Sequence, residues 1–80
     1  MAEWHSQGNQ RMQLLVGPCL KKPITPENVT YTEVNSIEDA AVAVEILRLK
    51  YGYDVPVFIK ANIVDKNGEI VSRKGVKRLN

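Results

Sequence analysis

The sequence predicts a small α+β fold of one domain, in the order β, β, α, β, β. Three observations carry that expectation. Residues 36–52, SIEDAAVAVEILRLKYG, read as one capped helix. Two β-branched and apolar runs precede it and two follow it. Asp65-Lys66-Asn67-Gly68 is a strong hairpin turn between the last two runs. An antiparallel or mixed four-stranded sheet with the helix packed on one face buries both elements in the simplest way.

Taken in order, residues 1–10 are polar and aperiodic and are expected to form a flexible N-terminal tail, with the lone aromatic Trp4 in it. The domain is expected over 11–76, followed by a basic tail, 77–80. Residues 11–16 (RMQLLV) form the first strand, ended by Gly17-Pro18. Pro18, Pro23 and Pro26 then remove backbone donors and fix φ, which makes 17–28 a stiff connection. Thr25-Pro26-Glu27 has the pattern of a short helix start, with a capping hydroxyl before a first-turn proline. Residues 29–34 (VTYTEV) form the second strand, one face of it wetter.

The helix is the clearest element. Ser36 can accept from the N–H of Asp39; Glu38 and Asp39 suit the positive end of the dipole; Arg48 and Lys50 suit the negative end; Gly52 suits the stop. Residues 55–64 (VPVFIKANIV) form the longest strand, with Pro56 at its start. Val57, Ile59, Ala61 and Ile63 take one face; Phe58, Lys60 and Asn62 take the other, which turns polar along the strand. The turn at 65–68 suits either a two-residue turn on Asn67-Gly68 or a type I turn with Gly68 in a bulge. Residues 69–73 return as the partner strand, which can extend past Gly75 into the basic stretch.

Eighty residues bury only about 60% of their unfolded surface, so the core is thin, and dimerisation is one remedy. A single cysteine, Cys19, excludes an internal disulfide and fits a reducing, cytoplasmic setting. No run of about 18 apolar residues is present to span a membrane, and 1–10 lack the features of a signal peptide. Asn28-Val29-Thr30 matches a glycosylation acceptor but reads as a turn into a strand.

Catalytic chemistry finds little support. His5 is the only histidine and lies in the tail, so Cys19 has no positioned base. One Cys and one His do not make a metal site. The 65–68 turn lacks the later ligands of a calcium loop, and no glycine-rich phosphate loop occurs. The glutamates and aspartates of the helix are explained by capping and solubility. The expectation is a protein that is not an enzyme and has no cofactor.

At about 100° per residue, Ile37, Ala40, Ala41, Val44, Leu47 and Tyr51 share one arc, the stripe for the sheet. Val42, Ile46 and Leu49 fall on the opposite side, bordered by Glu38 and Glu45 on one flank and by Asp39 and Lys50 on the other. Left in water, each of the three forgoes roughly 1.5–3 kcal/mol relative to full burial. Either residues 17–28 or the N-terminal tail cover this second stripe, or another chain does. The leading expectation is a protein–protein interaction module that docks through Val42, Ile46 and Leu49. It would act as a homodimer, or as an adaptor or inhibitor of the accessory type carried by phages and mobile elements.

The alternative is a nucleic-acid-binding module. Residues 1–54 hold five Lys/Arg against seven Asp/Glu, whereas 55–80 hold six against two. Lys60, Arg73, Lys74, Lys77 and Arg78 could follow a phosphate backbone along the hairpin and tail. Against this, only Phe58 is available on these strands for base stacking.

Overall fold

A computed structural model of the chain describes residues 10–80; the expected tail, apart from Gln10, lies outside them. The elements are β1 (Arg11–Pro18), a single 3-10 turn (Pro26–Asn28), β2 (Thr32–Val34), α1 (Ile37–Tyr51), β3 (Val57–Val64) and β4 (Ile70–Arg78). The strands form one sheet in the order β2-β1-β3-β4, and every neighbouring pair is antiparallel. The α+β class and the ββαββ order stand as the sequence predicts.

The helix ends follow the local chemistry. Ser36 Oγ accepts from the Asp39 N–H at 3.0 Å, and the Gly52 N–H donates to the Arg48 carbonyl at 2.8 Å. A serine cap of this kind contributes about 1 kcal/mol. The helix packs chiefly on β1, with lesser contact to β2 and β3. Ala40 and Val44 meet Val16 and Val57 in the core, and Val34, Ala43, Leu47, Val55, Ile59 and Leu79 close round them. The expected arc is therefore rotated. Ala43 turns inward, while Ile37, Ala41 and Tyr51 are exposed. A helix seated over β1 and β2 directs its 43/47 side at Val34 and turns Ala41 outward, while Ile37 and Tyr51, close to Val44 in azimuth, are exposed because they stand at the two ends of the helix.

β1 runs two residues further than the Gly17-Pro18 stop implies. Pro18 pairs opposite Val57, where its missing donor does no harm because the next residue, Cys19, makes the hydrogen bond to the Pro56 carbonyl at 2.8 Å. The expected strand 29–34 is split. Val29 makes one isolated bridge to Cys19, and the regular ladder resumes only at Thr32. Gly17 lies under the break: a Cβ there would sit 2.1 Å from the Thr30 carbonyl oxygen. Thr25 does not cap with its side chain. Its carbonyl accepts from the Asn28 N–H, and the Asn28 side chain bonds the Pro23 carbonyl at 2.7 Å.

The hairpin adopts the second of the two turns the sequence allows. The Gly68 N–H bonds the Asp65 carbonyl, and Gly68 has a φ of 83°. Asp65 Oδ1 also accepts from the N–H groups of Asn67 and Glu69, both at 2.9 Å. This is a type I turn closed by a glycine bulge.

Residues 77–80, expected as a tail, are built into the domain. Lys77 and Arg78 pair with Ile59 and Phe58. Beyond them the Asn80 side chain accepts from the Val57 N–H and donates to the carbonyls of Tyr53 and Val55. Dense charge suggests a solvated tail, whereas ladder hydrogen bonds depend on the backbone alone. The outer face of β3 is also less polar in its surroundings than its composition implies: Phe58, Asn62 and Val64 are all buried.

The close approach at Gly17 yields a test. Replacing Gly17 with Ala should destabilise the fold by about 1–3 kcal/mol, because backbone rather than a flexible side chain must move. Urea unfolding measures it. A wild-type midpoint would mean that β1 does not approach residue 30 as described.

Candidate functional site

The outward side of α1 carries Val42, Ile46 and Leu49, at spacings of four and three residues. They are 57%, 57% and 73% exposed. Tyr53, four residues past Leu49, is exposed too. Its hydroxyl lies 3.5 Å from Glu45 Oε2, which brings the tyrosine back alongside the helix. Arg48 approaches both the Tyr53 ring, at 6.0 Å from the centroid, and Glu45, at 4.0 Å. At that separation and exposure the ion pair is weak. Beside Ile46 an open groove of about 200 Å³ runs between helix and sheet, lined by Val16, Pro18, Thr32, Val34, Ala43 and Leu47. Ile46 belongs both to the seam and to the wall of the groove.

Residues 17–28 do not cover this surface. They wrap instead around the buried Cys19. Its thiol donates to the Lys21 carbonyl at 3.1 Å, with the Pro23 and Thr25 carbonyls 3.9 and 3.8 Å away. The Lys22–Pro23 peptide is cis. Only Pro18 of the segment borders the groove. Tyr53 and the groove wall were not legible in the periodicity. The helical spacing ends at Gly52, and the wall comes from strands whose register the sequence does not display.

The basic residues do not form one stripe. Register places Lys60 opposite Val76, Arg73 opposite Asn62 and Arg78 opposite Phe58. Paired residues share a face, so Lys60, Arg73 and Arg78 lie on the side of the sheet away from the helix. Lys77, opposite Ile59, lies on the helix side, and Lys74 is the extra residue of a bulge. Phe58, the one candidate stacking residue, is only 5% exposed, which withdraws its ring from any base. The Lys60 ammonium already sits 4.1 Å from the centre of the Tyr31 ring. Lys60, Lys74 and Lys77 border a shallow depression of about 280 Å³ floored by Leu14, Ile59 and Ala61.

Two polar details mark the face away from the helix. The Asn62 side chain donates to Gln13 Oε1 at 3.1 Å, while its Oδ1 and the Tyr31 hydroxyl are buried without a partner. Burial pushes the Tyr31 phenol up in pKa, with Glu27 and then Cys19 adding to the shift. At the exposed end of β1, hydrogen bonds from Arg11 (2.9 Å) and Gln13 hold the Glu33 carboxyl below its ordinary value. These groups do not converge on a reacting position. No cluster of three or more His, Cys, Asp or Glu fit to hold a metal occurs among the described residues. No described helix is long and apolar enough to cross a membrane.

The chain matches no family model, no curated protein and no solved structure.

β4 is a nine-residue strand, exposed throughout, at the edge of the sheet. Lysines and bulges on an edge blunt pairing with other chains. Lys74 and Lys77, with register shifts at Ala61/Asn62 and Ile63/Val64, suit that role without any ligand. Replacing Lys74 and Lys77 with Thr and Val should therefore promote concentration-dependent aggregation with little change in the unfolding midpoint. Light scattering against concentration checks this, and a variant as soluble as wild type would remove the edge-guarding role.

Proposed function

We propose that this chain is a non-enzymatic docking module that takes another protein chain on the outer face of α1. The observation that carries the reading is the exposure of Val42, Ile46 and Leu49 on a well-capped helix. Three large apolar side chains on one seam, joined to an apolar groove, are more than scattered surface hydrophobics. The helix is held from its other side by Ala40 and Val44, so among the described residues the seam is open without disturbing the core.

A helix face is also a familiar recognition element in its own right. Amphipathic helices are read as anchors at i, i+3, i+4 and i+7 laid into a groove. Here the anchors Val42, Ile46 and Leu49 follow that spacing, and the neighbouring groove supplies a receiving surface for the partner's own side chains. Binding energy in such interfaces concentrates in a few central residues, and Ile46 is central to this one. The basic strand gives a weaker basis for a function, since its charges divide between two faces and Phe58 is buried.

Placing a photo-activated cross-linking side chain at Leu49 tests the proposal in extracts of the source cells. A discrete protein adduct is expected at Leu49, absent when the same group replaces Lys66 on the hairpin turn, and lost when Ile46→Glu is added. Equal labelling at positions 49 and 66 would refute docking through this face.

A further inference from the structure

We infer that the chain docked on α1 is a different protein whose apolar contact residues are flanked by Lys or Arg, and not a second copy of this one. The inference rests on the docking reading above and concerns the charges around the seam.

At about 100° per residue, positions seven apart return to the same flank, so Glu38 and Glu45 stand together along one side of Val42 and Ile46. Positions eleven apart do the same, which puts Asp39 and Lys50 along the other side. All four are exposed. Three carboxylates and one ammonium therefore rim the apolar patch, and the acids crowd its N-terminal two-thirds. Arg48 does not redress the balance. It is half-buried on the far side of Glu45, 4.0 Å from that carboxylate and 6.0 Å from the centre of the Tyr53 ring. Glu38 and Asp39 have a local reason to be acidic in the first turn, next to the Ser36 cap. Glu45 sits mid-helix, and its own neighbours, Arg48 at 4.0 Å and the Tyr53 hydroxyl at 3.5 Å, leave its carboxylate more than half exposed beside the seam.

Self-association fits this rim poorly. Two copies packed with antiparallel helices would set each flank against its own counterpart, and in the register that pairs Asp39 with Lys50 of the other copy, Glu45 still faces Glu45. Packed parallel, they would bring both acidic first turns, with Glu38 and Asp39, side by side. Like charges facing across an interface act against the wrong partner, whereas a cationic flank would gain on one side and lose only at Lys50. The same rim disfavours phosphate-bearing surfaces on this face.

The test uses a short fluorescent helical peptide with Leu at i, i+3, i+4 and i+7 flanked by Lys, and its counterpart with every Lys replaced by Glu. Anisotropy titrations at low salt compare wild type, Ile46→Ser and the pair Glu38→Lys/Glu45→Lys, each first shown by circular dichroism to be folded. The Lys peptide should bind wild type about tenfold more tightly than the Glu peptide, and the charge-reversed variant should invert that order. Ile46→Ser should abolish binding. Equal binding of both peptides to wild type, lost in Ile46→Ser, would overturn the charge inference and leave docking standing. Binding of neither peptide, or binding indifferent to Ile46→Ser, would overturn docking through this face and the inference with it. Sedimentation should give a monomer; a dimer that Ile46→Ser converts to monomer would establish a second copy as the occupant and refute the inference.

Discussion

The seating of α1 on β1 decides the rest of the structure. Ala40 and Val44 are the buried residues of the helix, and they rest on Val16 and Val57. The small Ala40 and Ala43 give this contact a narrow footprint. A narrow footprint on a fifteen-residue helix leaves most of the circumference outside the core. Whatever fixes Ala40 inward therefore fixes Val42, Ile46 and Leu49 outward, since residues two, six and nine positions further on point away from it. The outward seam is thus a geometric consequence of how the fold builds its core.

The sheet is organised around the same contact. β1 and β3 are its central strands, and the helix lies over β1. β2 is short because the chain must first wrap around Cys19 and pass Gly17 at close range. That wrapping gathers residues 19–28 around the Cys19 thiol and away from the outer side of the helix. On the opposite side β4 is a long exposed edge, and its lysines and bulges have a sufficient reason in protecting that edge. The two charged features of the molecule thus differ in kind. The lysines of β4 stand on an exposed edge strand, whereas the carboxylates on α1 frame an apolar surface.

The helix, its caps and the hairpin turn were legible in the sequence because each depends on neighbours a few residues away. Ser36 reaches Asp39, and Asp65 reaches Gly68 and Glu69. What depends on register was not legible. That β4 can run past Gly75 was legible, but how far it runs, through Lys77 to Arg78, is decided by its pairing with β3. Burial of Asn62 and Phe58 is likewise a property of the assembled sheet. Of the proposed site, Val42, Ile46 and Leu49 were visible from helical spacing alone. Tyr53 was hidden beyond Gly52, and the groove wall of Thr32 and Val34 was hidden by the β1–β2 pairing.

α1 has two apolar sides: Ala40 and Val44 face the sheet, and Val42, Ile46 and Leu49 face outward. The most direct measurement is a matched pair of urea unfolding curves, for Val44→Ser and for Ile46→Ser. Val44→Ser should cost about 2 kcal/mol or more, through a lost core side chain and a hydroxyl left buried. Ile46→Ser should fall within about 0.5 kcal/mol of wild type, as surface substitutions do. Equal losses at the two positions would show that the outer seam is part of the core and would contradict the account.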